Sequence, residues 1–299
     1  MTESLSVAVL GLGAMGLPMA LRLAETHPVG GFDASPERRA LAADQGLVVH
    51  DSARDAVPDA DVVLLAVRNG AQLQDALLGE AGVAAVLREG AIVLLTSTVG
   101  VDAVRATAAG LAEHGIALVD APLSGGPVRA RAGDLLILVG GEPDAVGRVR
   151  PVLERLGSTV TTVGAHPGDG QALKTVNQLL CGVHIAAAAE ALALADALGL
   201  DRGAALEALN QGAAASFMLG NRGPRMLEAY DEDGAEVLSR LDIFVKDLGI
   251  VGDAARAHGL ATPVAAAAEQ LFLLGQAQGL AAADDSAVIR VVAPERPES

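Results

Sequence analysis

Hydrophobic residues follow two different rhythms along this chain. Up to about Val163, short aliphatic and β-branched runs alternate with longer segments of helical period. The runs Val7–Leu10, Val29–Asp33, Leu47–His50, Asp61–Val67, Ala91–Thr96, Ala117–Asp120, Leu135–Val139 and Thr159–Val163 are predicted strands. Ala/Leu/Arg-rich stretches such as Pro18–Glu25 and Pro36–Gln45 are predicted helices between them. Strands that alternate with helices build βαβ units, and nearly continuous apolar runs suit strands covered on both faces. Past the turn-rich Gly164–Gly170 stretch the strand rhythm stops. Gln171–Leu200 reads as one long helix, followed by Arg202–Gln211, Gly223–Tyr230, Ala235–His258, Pro263–Gln278 and a short helix near Asp284–Ile289. The expected architecture is α/β over 1–165, a mostly parallel sheet with helices on both faces. An all-α domain over 166–299 is joined to it by the long helix at 171–200. The tail Pro294–Ser299 is expected to be disordered.

Composition narrows the possible partners. The chain has 299 residues, with 37 acidic and 21 basic side chains and a formal net charge of −16. That charge repels phosphate backbones, and 2% aromatic content with no Trp leaves few stacking platforms, so no nucleic-acid partner is expected. One cysteine excludes a disulfide framework, and the histidines show no metal-ligand spacing, so no metal is expected and a cytoplasmic location is. The apolar run near the N-terminus has no basic segment before it and enters a glycine turn, so no secretory signal is read there. Leu179–Leu200 is the most apolar long stretch. It carries His184, Glu190 and Asp196, each expensive in lipid, so a buried soluble helix and no membrane partner are expected. A helix apolar around most of its circumference needs cover on several sides, so a homodimer or homotetramer is expected.

The first strand runs into Gly11-Leu12-Gly13-Ala14-Met15-Gly16, and a helix follows. G-x-G-x-x-G alone is a weak signal. Between a strand and a helix, at the head of βαβ units, it is the fingerprint of a Rossmann-type dinucleotide site. Gly11 makes the tight turn, Gly13 admits a pyrophosphate, and Gly16 lets the helix pack on the strand. The bland alternative is a plain strand–helix turn. Asp33 ends the second strand, where a carboxylate takes a ribose hydroxyl and repels a 2′-phosphate. Asp33 thus favours NAD over NADP. Arg38 and Arg39 could hold such a phosphate, but their place inside the next helix favours a solvated face.

Three further stretches carry candidate chemistry. Asp120-Ala121-Pro122-Leu123-Ser124-Gly125-Gly126-Pro127 follows a strand, and its consecutive N–H groups and hydroxyl could form an anion-binding concavity or an ordinary glycine turn. Lys174, Asn177, Gln178 and Cys181 fall on one helix face just after Gly168-Asp169-Gly170. Lys174 is either a surface lysine or part of a polar stripe lining a cleft, and the apolar remainder of the helix favours the stripe. Cys181 reads as a packing residue. Phe244-Val245-Lys246-Asp247-Leu248-Gly249 could hold a simple charged pair.

Together with the opening glycine turn, these stretches resemble, in order and spacing, the four signatures of the β-hydroxyacid dehydrogenase family. That family includes the 3-hydroxyisobutyrate, tartronate semialdehyde and L-threonate dehydrogenases. The resemblance spans nearly the whole chain. It implies a catalytic role for Lys174 and a carboxylate-binding loop at Ser124, Gly125 and Gly126. It implies substrate orientation by Asn177, beside which Gln178 is a further substrate-binding candidate, and cofactor contacts at Val67, Arg68, Thr98 and Lys246. Thr96 and Gln178 depart from it, because many relatives carry an acidic residue and a second asparagine there. The second half is more similar to the L-threonate branch than to the others, which implies NAD-dependent oxidation of L-threonate or a related sugar acid at the 2-position. Gln178, His184 and Asn221 could serve such a polyhydroxylated substrate. 3-Hydroxyisobutyrate and tartronate semialdehyde stay open. An imine reductase is disfavoured by Lys174 and Asp33, and a non-catalytic dinucleotide-binding module by Lys174.

Overall fold

The computed structural model describes residues 4–294. The disorder expected for the tail falls, after Pro294, outside the described residues. The chain divides into two compact units, Met1–Lys174 and Thr175–Ser299.

The first unit is built on a nine-stranded sheet. Its strands are β1 (Val7–Leu10), β2 (Val29–Phe32), β3 (Val48–Val49), β4 (Val62–Leu65), β5 (Ile92–Leu95), β6 (Ala117–Asp120), β7 (Leu123–Ser124), β8 (Leu136–Gly140) and β9 (Thr159–Gly164). Its helices are α1 (Gly16–Leu23), α2 (Pro36–Asp44), α3 (Ala53–Ala56), α4 (Gly70–Leu78), α5 (Val101–Ala112), α6 (Gly126–Ala132) and α7 (Pro143–Leu156). Six strands run parallel in the order β3-β2-β1-β4-β5-β6. β8 pairs antiparallel with β6 and β7, and β9 runs parallel to β8. Successive side chains point to opposite faces, so each strand feeds two cores. Val7, Val9, Leu64 and Leu94 pack with Leu17, Met19 and Leu23 of α1 and with Val149 and Leu153 of α7. Ala8, Leu10, Leu65 and Leu95 pack with Leu73 and Leu77 of α4 and Leu111 of α5. The expected mostly parallel sheet with helices on both faces is what forms. β7 was not anticipated, because two residues are too short to show a period.

The helices that follow are α8 (Asp169–Ala197), α9 (Arg202–Asn210), α10 (Phe217–Glu228), α11 (Leu241–Ala257), α12 (Pro263–Ala277) and α13 (Ile289–Val292). Ile185, Ala189 and Leu192 of α8 enter a core with Leu206, Met226, Phe244, Leu248 and Phe272. The rings of Phe244 and Phe272 stack at 5.2 Å between centroids. Among the described residues α8 is the one helix long and apolar enough to span a membrane. It carries charged residues and lends its buried face to this core, as a core helix passing the same test would.

Three helix limits differ from expectation. The helix predicted at Gly223–Tyr230 starts at Phe217, where the Ser216 hydroxyl caps the Leu219 N–H at 3.0 Å. Gly220, Gly223 and Pro224 disguise it, yet Gly223 is there for packing, since a Cβ would lie 2.4 Å from Leu206 Cδ1. The helix predicted from Ala235 begins only at Leu241. Asp284 accepts the N–H groups of Leu238 and Ser239, and Asp285 N–H donates to Ser239 O, so long-range pairing holds this segment out of the helix. The helix expected near Asp284–Ile289 is a 3₁₀ turn, Asp285–Val288, running into α13.

Candidate active site

The six parallel strands share one C-terminal edge, and the candidate residues of the first unit hang from it. Strand order reverses between β1 and β4, and in open α/β sheets ligands bind outside the strand ends at that reversal. The three glycines after β1 have different reasons to be glycine. Gly11 has φ +101°, and a Cβ there would sit 2.3 Å from Ala66 O. A Cβ on Gly16 would sit 1.8 Å from Gly11 O, so the helix could not approach the strand. A Cβ added at Gly13, in contrast, would meet nothing within 4 Å. Its space opens at the start of α1, as a cradle for a dinucleotide pyrophosphate requires. Ala14 is exposed and Met15 half-buried beside it, while Leu12 is buried.

Asp33 ties this turn to β2. Its Oδ2 accepts the Leu12 N–H at 2.7 Å and its Oδ1 the Ser35 N–H at 2.9 Å. A carboxylate has about four acceptor positions, so capacity for ribose hydroxyls remains. Arg38 is exposed, as a solvated face requires. Arg39 corrects that expectation. Its guanidinium donates to Asp33 O at 2.7 Å and Ala34 O at 3.3 Å, and lies 5.6 Å from the Phe32 ring centre.

Beyond β4 and β5 the edge continues through Val67, Arg68 and Thr98. Val67 N–H donates to Ser97 Oγ at 2.7 Å and Arg68 N–H to Gln72 Oε1 at 2.9 Å. Thr98 is half-buried in the same loop as Ser97. Thr96 is buried and spends its hydroxyl on Leu65 O at 2.9 Å. After β7, Gly125 and Gly126 have φ +145° and +77°, conformations that favour glycine. A Cβ on Gly126 would meet nothing within 4 Å, so there is room for a ligand atom beside the start of α6 and the half-buried Ser124.

The start of α8 is anchored to the same edge by two residues that sequence reasoning left without a role. Asp120, at the end of β6, accepts the N–H groups of Gly168 and Gln171, both at 2.7 Å. Burial pushes its carboxyl up to about 6, against those two hydrogen bonds, and Asp169 adds to the rise. Gln171 Oε1 accepts the Val99 and Gly100 N–H groups at 3.0 and 3.2 Å, and its Nε2 donates to Ser97 O at 2.9 Å. Lys174 follows one turn on, only 6% exposed.

In the second unit, Asn177 Nδ2 donates to Gln178 Oε1 at 2.9 Å and to Cys181 Sγ at 3.4 Å. Gln178 Nε2 donates to Asp247, and Asp247 Oδ1 lies 3.0 Å from Lys246 Nζ. Past Lys174, the helix face read from spacing is thus a connected polar chain, from Cys181 through Asn177, Gln178 and Asp247 to Lys246. Asp247 is 3% exposed, and its only sequence signal was its place beside Lys246. Asn221 does not stand open: its Oδ1 accepts from Arg222 at 2.6 Å and Arg225 at 3.2 Å. His184 is half-buried. Among the described residues no cluster of His, Cys, Asp and Glu could hold a metal ion.

Comparison with known proteins accounts for both units. Residues 6–164 match the family model of the NAD binding domain of 6-phosphogluconate dehydrogenase. Residues 168–292 match that of the NAD-binding region of NADP-dependent 3-hydroxyisobutyrate dehydrogenase. The chain is 39% identical to an L-threonate dehydrogenase of Cupriavidus necator, covering 96% of each protein. It is 37% identical to one of Escherichia coli K12, covering 95% of this chain and 94% of that one. A crystal structure of a 3-hydroxyisobutyrate dehydrogenase from Salmonella typhimurium superposes with a TM-score of 0.87 at 34% identity, covering 96% of this chain and all of that one.

Proposed function

Because the chain belongs to the 3-hydroxyisobutyrate dehydrogenase-related family of NAD(P)-dependent hydroxyacid dehydrogenases, we propose that it oxidises L-threonate, or a related sugar acid, at the 2-position with NAD. The observation that carries the reading is Lys174, a lysine almost wholly buried on the helix face that continues through Asn177 and Gln178. When bound, the nicotinamide dinucleotide accepts the hydride. Lys174 Nζ takes the proton of the reacting hydroxyl. Ser124, Gly125 and Gly126 hold the substrate carboxylate, and Asn177 and Gln178 orient its hydroxyls. Gly11, Leu12, Gly13, Ala14, Met15 and Gly16 hold the pyrophosphate. Val67, Arg68, Thr98 and Lys246 complete the cofactor contacts. The chain acts in the cytoplasm as a dimer or tetramer.

NAD is favoured over NADP because a carboxylate at the end of β2, here Asp33, repels a 2′-phosphate, and Arg39 is engaged by backbone carbonyls and Phe32. The likeness to the Cupriavidus and Escherichia enzymes supports L-threonate, and the Salmonella structure supports 3-hydroxyisobutyrate as the second reading. A panel of L-threonate, other sugar acids and 3-hydroxyisobutyrate with each oxidised dinucleotide, and of tartronate semialdehyde with each reduced one, tests both choices. The highest kcat/KM is expected with L-threonate and NAD. A preference for 3-hydroxyisobutyrate removes the substrate assignment, and a preference for NADP removes the reading of Asp33.

A further inference from the structure

Asp120 and Gln171 are both 0% exposed, and neither belongs to the machinery described above. Every helix leaves its first N–H groups unpaired, and a local side chain or water normally satisfies them. Here a carboxylate from a strand end distant in sequence takes two of them, one on each oxygen. Glycines clear the way for it. A Cβ on Gly170 would lie 2.8 Å from Asp120 Oδ2 and 2.5 Å from Leu138 O, and one on Gly140 would lie 2.6 Å from Asp120 Oδ1. Gln171 extends the anchor to Ser97, Val99 and Gly100, and Ser97 Oγ takes the Val67 N–H. One chain of hydrogen bonds therefore joins the ends of β4, β5 and β6 to the first turn of α8. Burying a carboxylate is a costly way to cap a helix that a serine would cap.

We infer that Asp120 and Gln171 are positioning residues that set the height and rotation of the start of α8, and with them the place of Lys174 Nζ relative to the loop carrying Thr98. The inference rests on the proton-transfer role proposed for Lys174. A misplacement of about 1 Å at such a group can cost about a hundredfold in rate. Only the ionised acid accepts both N–H groups, so the clasp is complete above about pH 6 and weakened below it. The charged and titratable groups around it are Asp169, which accepts the His166 N–H at 3.1 Å, Arg105 at 4.0 Å from Asp169, and His166 with Glu142 at 3.6 Å.

The test compares Asp120→Asn, which keeps one acceptor oxygen, with the wild-type enzyme. Well above pH 6, kcat is expected to fall about tenfold or more, while NAD affinity by calorimetry stays within about twofold. The drop in wild-type kcat below pH 6 should be missing from the variant, a change that mere loss of folded protein would not produce. Amide hydrogen exchange across 168–174 should accelerate. Gln171→Met keeps the side-chain volume and removes the bonds to the 97–100 loop, so it carries the test if Asp120→Asn does not fold. Folded variants with wild-type kcat and pH profile overturn the inference. Unchanged exchange across 168–174 removes the clasp and leaves the Lys174 reading standing. Wild-type turnover in Lys174→Ala does the reverse.

Discussion

Replacing Lys174 by Ala removes one amine and keeps a good helix former, so the fold should tolerate it. A single proton-transfer group contributes about 10²–10⁴ in rate, and Lys174→Ala is expected to lower kcat by about that factor. NAD affinity should barely change, because the cofactor contacts proposed at Gly11, Gly13, Gly16 and Asp33 are left intact. Arg at this position should not rescue, since its guanidinium stays protonated and cannot take the hydroxyl proton. Turnover beside calorimetric NAD binding checks this, and loss of binding together with turnover would make Lys174 a cofactor anchor. Lys174 was legible in the sequence because its neighbours Asn177 and Gln178 share its helix face. Asp120 and Gln171 were not, because the partners that give them meaning lie 48 to 74 residues away along the chain.

The turn from β1 into α1 separates packing from binding. Gly16→Ala would drive a Cβ into the Gly11 carbonyl and is expected to cost about 3 kcal/mol or more. Gly13→Ala meets open space, so stability should stay within about 0.5 kcal/mol. NAD affinity should nevertheless fall about tenfold, or 1.4 kcal/mol. Urea midpoints and calorimetry on the two variants check this contrast, and equal effects of both on stability would refute it. The 3₁₀ turn after Asp284 is held to α10 in a different way. Arg225 Nε donates to Asp284 at 2.9 Å, and Arg222 pairs with the fully buried Asp285 at 2.8 Å. Burial pushes Asp284 up, but Arg225 and the Ser286 hydrogen bonds more than offset it and hold its carboxyl below the usual range. Its stabilisation is therefore full above the unfolded carboxylate pKa and is lost as pH falls through the lower folded-state value. Asp284→Ala takes the nearer carboxylate from the buried Arg225 guanidinium, leaving it Asp285 at 3.6 Å and Asn221, and should cost about 3 kcal/mol near neutral pH, with a smaller cost in acid. Chemical denaturation at about pH 7 and about pH 3 measures both.

One face of α8 is buried in the second unit's core, yet Val176, Leu180 and Leu194 on another face, and Leu198 just past its end, are 49–68% exposed. Apolar surface in such a row is what the proposed oligomer would cover. Leu194→Glu with Leu198→Glu is expected to shift the protein from oligomer toward monomer in light scattering, with the fold retained by circular dichroism. A wild-type monomer at micromolar concentration would sink the oligomer. Periodicity is a local property, so strands such as Val7–Leu10 and Ala117–Asp120 emerged from the sequence with their ends correct. The glycine turn and the Lys174 face were likewise written in spacing, because backbone conformation and helix pitch repeat over a few residues. The late start of α11, the use of Asn221 by two arginines, Arg39 folding back over Phe32 and the Asp120 clasp required the folded chain. Each depends on a buried polar group choosing among partners, and that choice is made by burial and distance in space. Nothing in the order of neighbouring residues records it.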